Sequence, residues 1–405
     1  MLLSAGAISP SDRHRYAGMI LAAAGYIVRN GPATRQDRWE EDGGYSAFTI
    51  AVEIAALLAA ADAMRAIGRD SIARYLMETA DGWNEQIDDW VYAKDTEISR
   101  RLGIDGYYMR IGFSSGNASE RIHGLIPIRN RADGNAALEA GLLVSPDALA
   151  LVRFGLRAAD DPRILNTVKA IDALLRRELP AGSYWYRYND DGYGEHADGA
   201  PFDGAGIGRL WPLLTGERAH YELAAGRPQE ARRLLAAMEA AASTGGLLPE
   251  QIWDSQDVPQ RELFLGRPSG SAMPLVWAHA EHIKLLRSLR DNAVFDTPRQ
   301  TLDRYVRNTP PPAPVVWRAN ARVDRIAAGR LLRLEFLDQA RIHWSADGWK
   351  TISDSDTIAT GLGLYVLDLP TENLGDGTIV RFTMFWPGQN RWEGADFEVR
   401  IARTA

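Results

Sequence analysis

Two acidic segments of the chain combine carboxylates with a tryptophan in a pattern that suits acid–base chemistry. Residues 37–45 read DRWEEDGGY and place four carboxylates within six positions, just before a strongly apolar run. Residues 246–254 read GLLPEQIWD. Hydrolysis of a glycosidic bond needs two carboxyl groups flanking the bond, one protonated and one ionised. The segments supply these groups if both reach one pocket. The alternatives are an acidic helix start for the first segment and a solvated loop for the second.

The elements that must position these segments are predicted to be helical from about residue 11 to 292. Residues 71–92, for example, repeat apolar side chains at three- and four-residue spacing. Eight helices are predicted, at 11–28, 47–67, 71–92, 146–158, 162–178, 203–225, 226–242 and 271–291. Short connections alternate with long, aromatic-rich ones, and long loops in a compact domain are usually functional. The pattern predicts a mainly α fold, an α/α toroid whose long loops form a pocket at one rim.

The pattern changes at residues 308–314 (NTPPPAP), which predict a stiff proline linker. Beyond it, apolar and polar residues alternate with period two, and Asp347-Gly348 is typical of a hairpin turn. We therefore expect a small β-sandwich of about six or seven strands. It carries five tryptophans that are candidates for a carbohydrate-binding surface, with sandwich core or docking against the barrel as the alternative: Trp317, Trp344, Trp349, Trp386 and Trp392.

Composition excludes several classes of function. The chain has 405 residues and a formal net charge of −7, so it lacks the basic field that neutralises nucleic-acid phosphates. The absence of cysteine excludes disulfides, thiolate metal sites and a cysteine nucleophile. The only histidine pair with ligand-like spacing is His279 and His282, which we interpret as part of a packed helix. No Gly-rich phosphate loop is present, and we expect no metal and no cofactor.

No membrane segment or signal peptide is predicted. The most apolar stretch, residues 50–64, contains Glu53 and Asp62 and falls short of the ~20 residues that span a bilayer. The N-terminus has no basic region followed by a long apolar run. We therefore leave the localisation open: cytoplasmic by default, and secreted or periplasmic if an upstream region is missing.

Three motifs resemble glycoside hydrolase family 15, which holds the glucoamylases. They are residues 38–41 (RWEE), 208–218 (GRLWPLLTGER) and 248–251 (LPEQ). The resemblance runs from about residue 10 to 292 and is closest to the bacterial glucoamylase and glucodextranase branch. It implies an (α/α)6 barrel and inverting exo-hydrolysis, with β-D-glucose released from the non-reducing ends of α-glucan oligo- or polysaccharides such as starch or dextran.

The resemblance also implies the catalytic pair. Glu40 matches the general acid of the family, and Glu250 matches the general base that activates water. In an inverting enzyme the two carboxyl groups stand roughly 6.5–9.5 Å apart, which leaves room for that water. The acid needs a raised pKa, and we expect desolvation beside Trp39 to help supply it.

Four further residues are implied to bind substrate. Glu41 matches an adjacent carboxylate that helps to hold the sugar, and Arg187 matches an arginine that hydrogen-bonds the sugar nearest the cleaved bond. Trp39 lies beside the acid. Trp211 is a candidate sugar-stacking platform, with core packing on its helix as the alternative.

The chain departs from the family in length. The family barrel has twelve helices and only about eight are predicted here, corresponding to the fifth to the twelfth. We therefore expect the C-terminal two thirds of a catalytic domain at residues 1–300, a linker at 301–314 and the β-sandwich at 315–405. An open pocket and exposed apolar flanks would leave such a chain weakly active or inactive, unless a missing N-terminal segment or a partner chain completes the barrel.

Two other functions use the same residues. One is an α-glucan transglycosylase of the dextrin dextranase type, in which a sugar replaces water as the acceptor. The other is a truncated, non-catalytic glucan-binding remnant. The sequence does not separate α-1,4 from α-1,6 preference.

Overall fold

The computed structural model describes residues 10–114, 118–131 and 136–403. Eleven α-helices are found in these ranges: α1 Pro10–Asn30, α2 Ala47–Arg65, α3 Asp70–Val91, α4 Glu97–Leu102, α5 Ala118–His123, α6 Ala150–Arg153, α7 Pro162–Leu175, α8 Pro212–Ala224, α9 Pro228–Ala240, α10 Val276–Asp291 and α11 Arg299–Thr301. All eight predicted helices are represented among them. The additional ones, α4, α5 and α11, have six residues or fewer, which is too short for a periodic signal.

Three of the predicted helices are shorter than expected by five residues or more, and the backbone explains each difference. The helix predicted at 146–158 is a 3₁₀ turn, Pro146–Leu149, followed by α6, and it ends before Gly155, whose φ is +71°. The helix predicted from residue 203 begins at Pro212, because the backbone of Leu210 pairs with Ile252 and that of Trp211 pairs with Trp185. Likewise α10 begins at Val276 instead of 271, because the Leu275 N–H donates to the Leu248 carbonyl.

Helix α2 is apolar enough, at 19 residues, to cross a membrane by length and composition alone. The expectation from residues 50–64, that this stretch is too short and too charged to span a bilayer, is therefore corrected. In the structure, 61% of its most apolar window is buried, with Ile50, Ile54 and Leu57 fully enclosed. Burial on most sides is the behaviour of a helix inside a protein core.

Short antiparallel strand pairs lie between several of the helices. They pair β1 Tyr92–Lys94 with β2 Gly106–Tyr108, β3 Leu125–Pro127 with β4 Ala137–Glu139, and β5 Arg176–Leu179 with β6 Gly182–Trp185. Two of them carry candidate site residues just beyond their ends, Arg110 after β2 and Arg187 after β6.

The C-terminal region folds into two sheets that share one apolar core. Its ten strands are β7 Val315–Trp317, β8 Arg325–Ala327, β9 Leu332–Phe336, β10 Arg341–Ser345, β11 Ser353–Asp356, β12 Ile358–Ala359, β13 Tyr365–Leu369, β14 Ile379–Trp386, β15 Arg391–Trp392 and β16 Phe397–Ala402. One sheet has the order β11-β10-β14-β16-β8 with β15 beside β14, and the other has the order β12-β13-β9-β7. Trp317, Leu334, Ile342, Phe382 and Val399 are buried between them. The predicted count of six or seven strands is too low, because strands of two or three residues carry no alternation.

The chain divides into two compact units. The first comprises the described residues up to Pro32, Glu53–Glu85 and the described residues from Thr309 onward. In it, Tyr75 Oη on α3 donates to Glu335 Oε1 on β9 at 3.0 Å. The second comprises Ala33–Val52 and Gln86–Asn308 and contains both acidic segments. The domain boundaries expected at residues 300 and 315 stay a prediction.

Candidate active site

The first acidic segment folds into a tight loop that leaves Glu40 apart from its neighbours. Asp37 Oδ1 accepts the backbone N–H groups of Trp39 and Glu41, both at 3.1 Å, and the Glu40 N–H donates to the Asp37 carbonyl at 3.0 Å. Glu40 has a φ of +61°, a left-handed conformation that residues other than Gly rarely adopt. Glu40 is exposed, whereas Asp37, Trp39, Glu41 and Asp42 are buried. Its carboxylate therefore lacks the apolar enclosure that the sequence led us to expect.

A fully buried arginine, Arg110, holds this loop. Its guanidinium donates to Asp37 Oδ2 at 2.6 Å, to Asp42 Oδ2 at 2.8 Å and to Glu41 Oε2 at 3.0 Å. It also lies over the Tyr188 ring, 4.2 Å from the centroid. Buried carboxylates are tolerated when they are paired and hydrogen-bonded. Every buried carboxylate of the loop therefore has Arg110 as a partner.

Arg187 connects the loop to the next part of the site. Its Nη2 donates to Glu41 Oε1 at 3.0 Å, and its Nε donates to Asp191 Oδ2 at 2.7 Å. The second oxygen of Glu41 accepts the Tyr188 hydroxyl at 2.7 Å as well as Arg110. Burial raises the pKa of Glu41, and the two arginines oppose that rise. Both oxygens of Glu41 are thus occupied by protein donors.

Four aromatic rings lie around the guanidinium of Arg187, one of them that of Tyr188 at 5.3 Å. The central carbon of the guanidinium lies 4.9 Å from the Tyr193 ring centroid, 5.2 Å from that of Trp39 and 5.6 Å from that of Trp211. The Trp39 and Trp211 rings meet edge to face at 5.2 Å, and Tyr193 lies 6.3 Å from Trp211. Trp39 is also fixed by its indole N–H, which donates to Asp147 Oδ2 at 3.2 Å. Three of these rings form one aromatic cluster: Trp39, Tyr193 and Trp211.

Trp211 is only 3% exposed. Such burial leaves little ring face for a sugar and favours the packing alternative over a stacking platform. Its backbone has a positioning role, since the Trp211 N–H donates to the Trp185 carbonyl at 3.0 Å while the neighbouring Leu210 carbonyl accepts the Ile252 N–H at 3.0 Å. This ladder sets the hairpin β5–β6, the start of α8 and the second acidic segment side by side.

Glu250 reaches the cluster through Tyr193. The Tyr193 hydroxyl donates to Glu250 Oε2 at 3.3 Å, and the Tyr193 carbonyl accepts the side-chain amide of Gln251 at 3.0 Å. The Glu250 N–H donates to the Ala272 carbonyl at 2.8 Å. Partial burial raises the pKa of Glu250, and the Tyr193 hydrogen bond and Arg187 oppose the rise. The two acidic segments therefore meet at the same aromatic cluster, the first through Trp39 and the second through Glu250.

Two residues of the site were missed from the sequence, Arg110 and Tyr193. The signal for Arg110 was a single arginine inside the apolar run of residues 107–113 (YYMRIGF). Tyr193 lies in the loop after Asn189, where its contact with Glu250 has no local signature. Among the described residues, no group of three or more metal-ligating side chains is found. His279 Nε2 accepts the Leu248 N–H at 3.0 Å and His282 lies against Glu239, so both have protein partners.

Comparison with known proteins identifies the fold and the family. The sequence model of glycosyl hydrolases family 15 matches residues 11–287. A glucoamylase of Clostridium sp. (strain G0005) is 40% identical over 292 residues, which are 72% of this chain and 38% of that protein. The crystal structure of a bacterial glucoamylase complexed with acarbose aligns with a TM-score of 0.66 at 39% identity and covers 73% of this chain and 41% of that one.

The chain therefore spans about two fifths of the length of these relatives. The expected fold class is confirmed, a glucoamylase-like α/α fold followed by a C-terminal β-rich region. The resemblance of the three sequence motifs is confirmed as well, and the chain belongs to glycosyl hydrolases family 15.

Proposed function

We propose that this chain is an exo-acting, inverting α-glucosidase of the glucoamylase or glucodextranase type that releases β-D-glucose from non-reducing ends of α-glucans. The observation that carries the proposal is the meeting of the two acidic segments at one aromatic cluster. In this proposal Glu40 is the general acid and Glu250 the general base. The chain spans only about two fifths of the length of its relatives. The choice of an α-glucan as the substrate is therefore itself proposed.

The reaction assigns opposite proton movements to the two carboxyl groups. Glu40 gives its proton to the glycosidic oxygen as the bond to the anomeric carbon breaks. Glu250 takes a proton from the water that attacks the same carbon from the opposite face, which inverts its configuration. A raised pKa suits the base, because a more basic carboxylate is a better proton acceptor near neutral pH. Exchange with solvent then restores both groups.

Substrate binding is assigned to Arg187 and Trp39. The Nε and Nη2 groups of Arg187 are bonded to Asp191 and Glu41, while its Nη1 makes no hydrogen bond to the described residues and is left for a sugar hydroxyl. Glu41, whose oxygens accept from Arg187, Arg110 and Tyr188, holds the sugar indirectly by fixing Arg187. Fixing a donor before substrate arrives removes part of the entropy cost of binding.

Replacement of Tyr193 by phenylalanine is expected to move the acid limb of the pH profile of kcat/KM to higher pH. The rate needs ionised Glu250, so it falls as the pH drops through the pKa of that group. The Tyr193 hydroxyl lowers this pKa by donating to the ionised carboxylate. Removing the hydroxyl raises the pKa, and activity is lost earlier on acidification.

A matched control for this variant is Tyr221→Phe, which also removes a hydroxyl with a protein partner, here the Ala159 carbonyl at 3.1 Å. It should keep the wild-type pH profile. An unchanged or downward-shifted acid limb in Tyr193→Phe would contradict the assignment of Glu250 as base.

Digests of maltotetraose and isomaltotetraose test the function itself. Glucose as the first product supports exo-hydrolysis and shows which linkage is preferred. Longer oligosaccharides formed from either substrate indicate glucan transfer, because a sugar has then replaced water as the acceptor. No product from a chain that is folded by circular dichroism, with no transfer, leaves the non-catalytic glucan-binding alternative.

A further inference from the structure

The outward face of the larger β-sheet carries aromatic side chains that the proposed catalytic site does not use. The His343 ring on β10 stacks on Trp349 at 5.5 Å and meets Trp392 on β15 edge to face at 5.8 Å. Trp392 also contacts Phe385 on β14 at 5.4 Å. Trp392 is 50% exposed, and the other three rings are partly exposed. We refer to His343, Trp349, Phe385 and Trp392 as the aromatic platform.

The sheet register places polar groups in the same rows as these rings. One row runs across four strands through Asp356, Arg341, Phe385 and Trp392, and the next contains His343 between Asp354 and Thr383. Residues opposite one another across strands lie on the same face. The platform therefore alternates ring faces with side chains that donate and accept hydrogen bonds.

Trp349 adopts a conformation that a bulky residue rarely takes. Its φ is +66°, and such strain persists only where the surroundings fix it. The hairpin supplies that restraint: Ser345 Oγ accepts the Trp349 N–H at 3.0 Å, and Asp347 Oδ1 accepts the N–H groups of Lys350 and Thr351 at 3.1 and 2.9 Å. A restrained turn holds the indole beside His343, on the face of the sheet.

The two arginines on this face, Arg341 and Arg381, are each paired with a carboxylate. Arg341 Nε lies 2.7 Å from Asp356 Oδ1, and Arg381 Nε lies 2.6 Å from Glu398 Oε1. His343 Nδ1 lies within hydrogen-bond distance of Asp354 Oδ1, at 2.8 Å. These exposed pairs leave little net charge to attract a polyanion or a charged peptide. Rings flanked by neutralised donors and acceptors match an uncharged polyhydroxylated chain, whose C–H faces stack on rings and whose hydroxyls pair with the carboxylates and the guanidinium.

We propose that the aromatic platform binds an α-glucan chain at a site separate from the catalytic centre. The choice of a glucan rests on the proposed function, while the platform itself is independent of it. Of the five tryptophans in this region, Trp317 is in the core and Trp344 and Trp386 pack against it. That leaves two for binding, Trp349 and Trp392. A second contact on the same polymer raises the effective concentration of chain ends at the catalytic site.

Affinity electrophoresis of the full chain tests the proposal. Native gels containing soluble starch or dextran are compared with glucan-free gels for the wild type, Trp349→Ala, Trp392→Ala and the double variant. The wild type should be retarded in at least one of the two glucan gels, and the double variant should bind roughly tenfold more weakly or not at all, because each lost ring removes a stacking contact. Ile358→Ala on β12, which removes another exposed apolar side chain (70% exposed), should migrate like the wild type.

Three outcomes decide the matter. Retardation that depends on the two tryptophans supports glucan binding by the platform, even if the chain releases no glucose. The glucan-binding proposal can therefore succeed where the proposed catalytic function fails. Absence of wild-type retardation, or equal retardation of the double variant, overturns it. A wild-type dimer that dissociates in the double variant, with no glucan effect, also overturns it and identifies the platform as a contact between copies of this chain. Hydrolysis of maltotriose should be unchanged in either tryptophan variant.

Discussion

Replacement of Glu250 by glutamine is expected to lower glucose release from maltotetraose or isomaltotetraose by about 10²–10⁴-fold. Glutamine keeps the size of the side chain and accepts from Tyr193, but it takes no proton from water. Because Glu250 is partly buried with a raised pKa, the substitution also removes a group that burial destabilises in its ionised form. We therefore expect the folded state to be retained and the loss to fall on kcat.

The corresponding change in Glu40 separates the two roles. With natural substrates, Glu40→Gln should be about as damaging, since an alkoxide leaves poorly without protonation. With α-D-glucosyl fluoride the leaving group needs little protonation, so Glu40→Gln should retain much of its activity while Glu250→Gln should not. The measurement is initial fluoride or glucose release for both variants.

The control for both variants is Glu239→Gln, which alters a half-exposed carboxylate that lies against His282. It should keep wild-type rates. If Glu250→Gln retains more than about a tenth of wild-type activity, or if the fluoride rescues Glu250→Gln rather than Glu40→Gln, the assignment of acid and base is wrong.

Replacement of Arg110 by methionine is expected to destabilise the fold by about 3–5 kcal/mol, the usual effect of removing one partner of a buried ion pair. Methionine fills similar space, but it leaves Asp37, Glu41 and Asp42 without the cation that contacts all three. The measurement is the free energy of unfolding from chemical denaturation at pH 7. Arg233→Met, at a site whose side chain is 76% exposed, should change it by less than about 0.5 kcal/mol.

The destabilisation caused by Arg110→Met should depend on pH, whereas that of a simple packing defect should not. Burial already raises the pKa of Glu41, and Arg110 is one of the two cations that oppose the rise. Loss of Arg110 raises this pKa further. A carboxyl group whose folded pKa exceeds its unfolded value destabilises the fold above that pKa, and the effect disappears as the pH falls below the unfolded value. The gap between wild type and Arg110→Met should therefore narrow on acidification, and a gap independent of pH would contradict the electrostatic explanation.

Much of the fold could be predicted from the local pattern of apolar and polar residues, because helices and alternating strands leave signals within a few residues. The apolar repeat of α3 and the alternation in β14 are of this kind. The starts of α8 and α10 were misplaced for a different reason. Their preceding residues are engaged in backbone pairing with loops distant in sequence, as in the bond between Leu210 and Ile252, and no local signal reports such pairing.

Some residues of the candidate site could be predicted from local sequence motifs, and others could not. Glu40 and Glu250 stand in short motifs that single them out in the sequence, and their catalytic roles stay a prediction. Arg110 and Tyr193 were missed because their importance lies in contacts across 57 to 73 positions of sequence. Glu41 was expected to help hold the sugar. Both of its oxygens accept from protein donors, an arrangement that depends on three separate segments folding together and has no local sequence signal.

The anomeric configuration of the first glucose released is the most direct test of the central claim, and proton NMR of a fresh maltotetraose or isomaltotetraose digest measures it before mutarotation. An inverting reaction by Glu40 and Glu250 predicts that β-D-glucose appears first and that the α-anomer follows only as the two equilibrate. Initial α-D-glucose from a chain shown to be folded would contradict it.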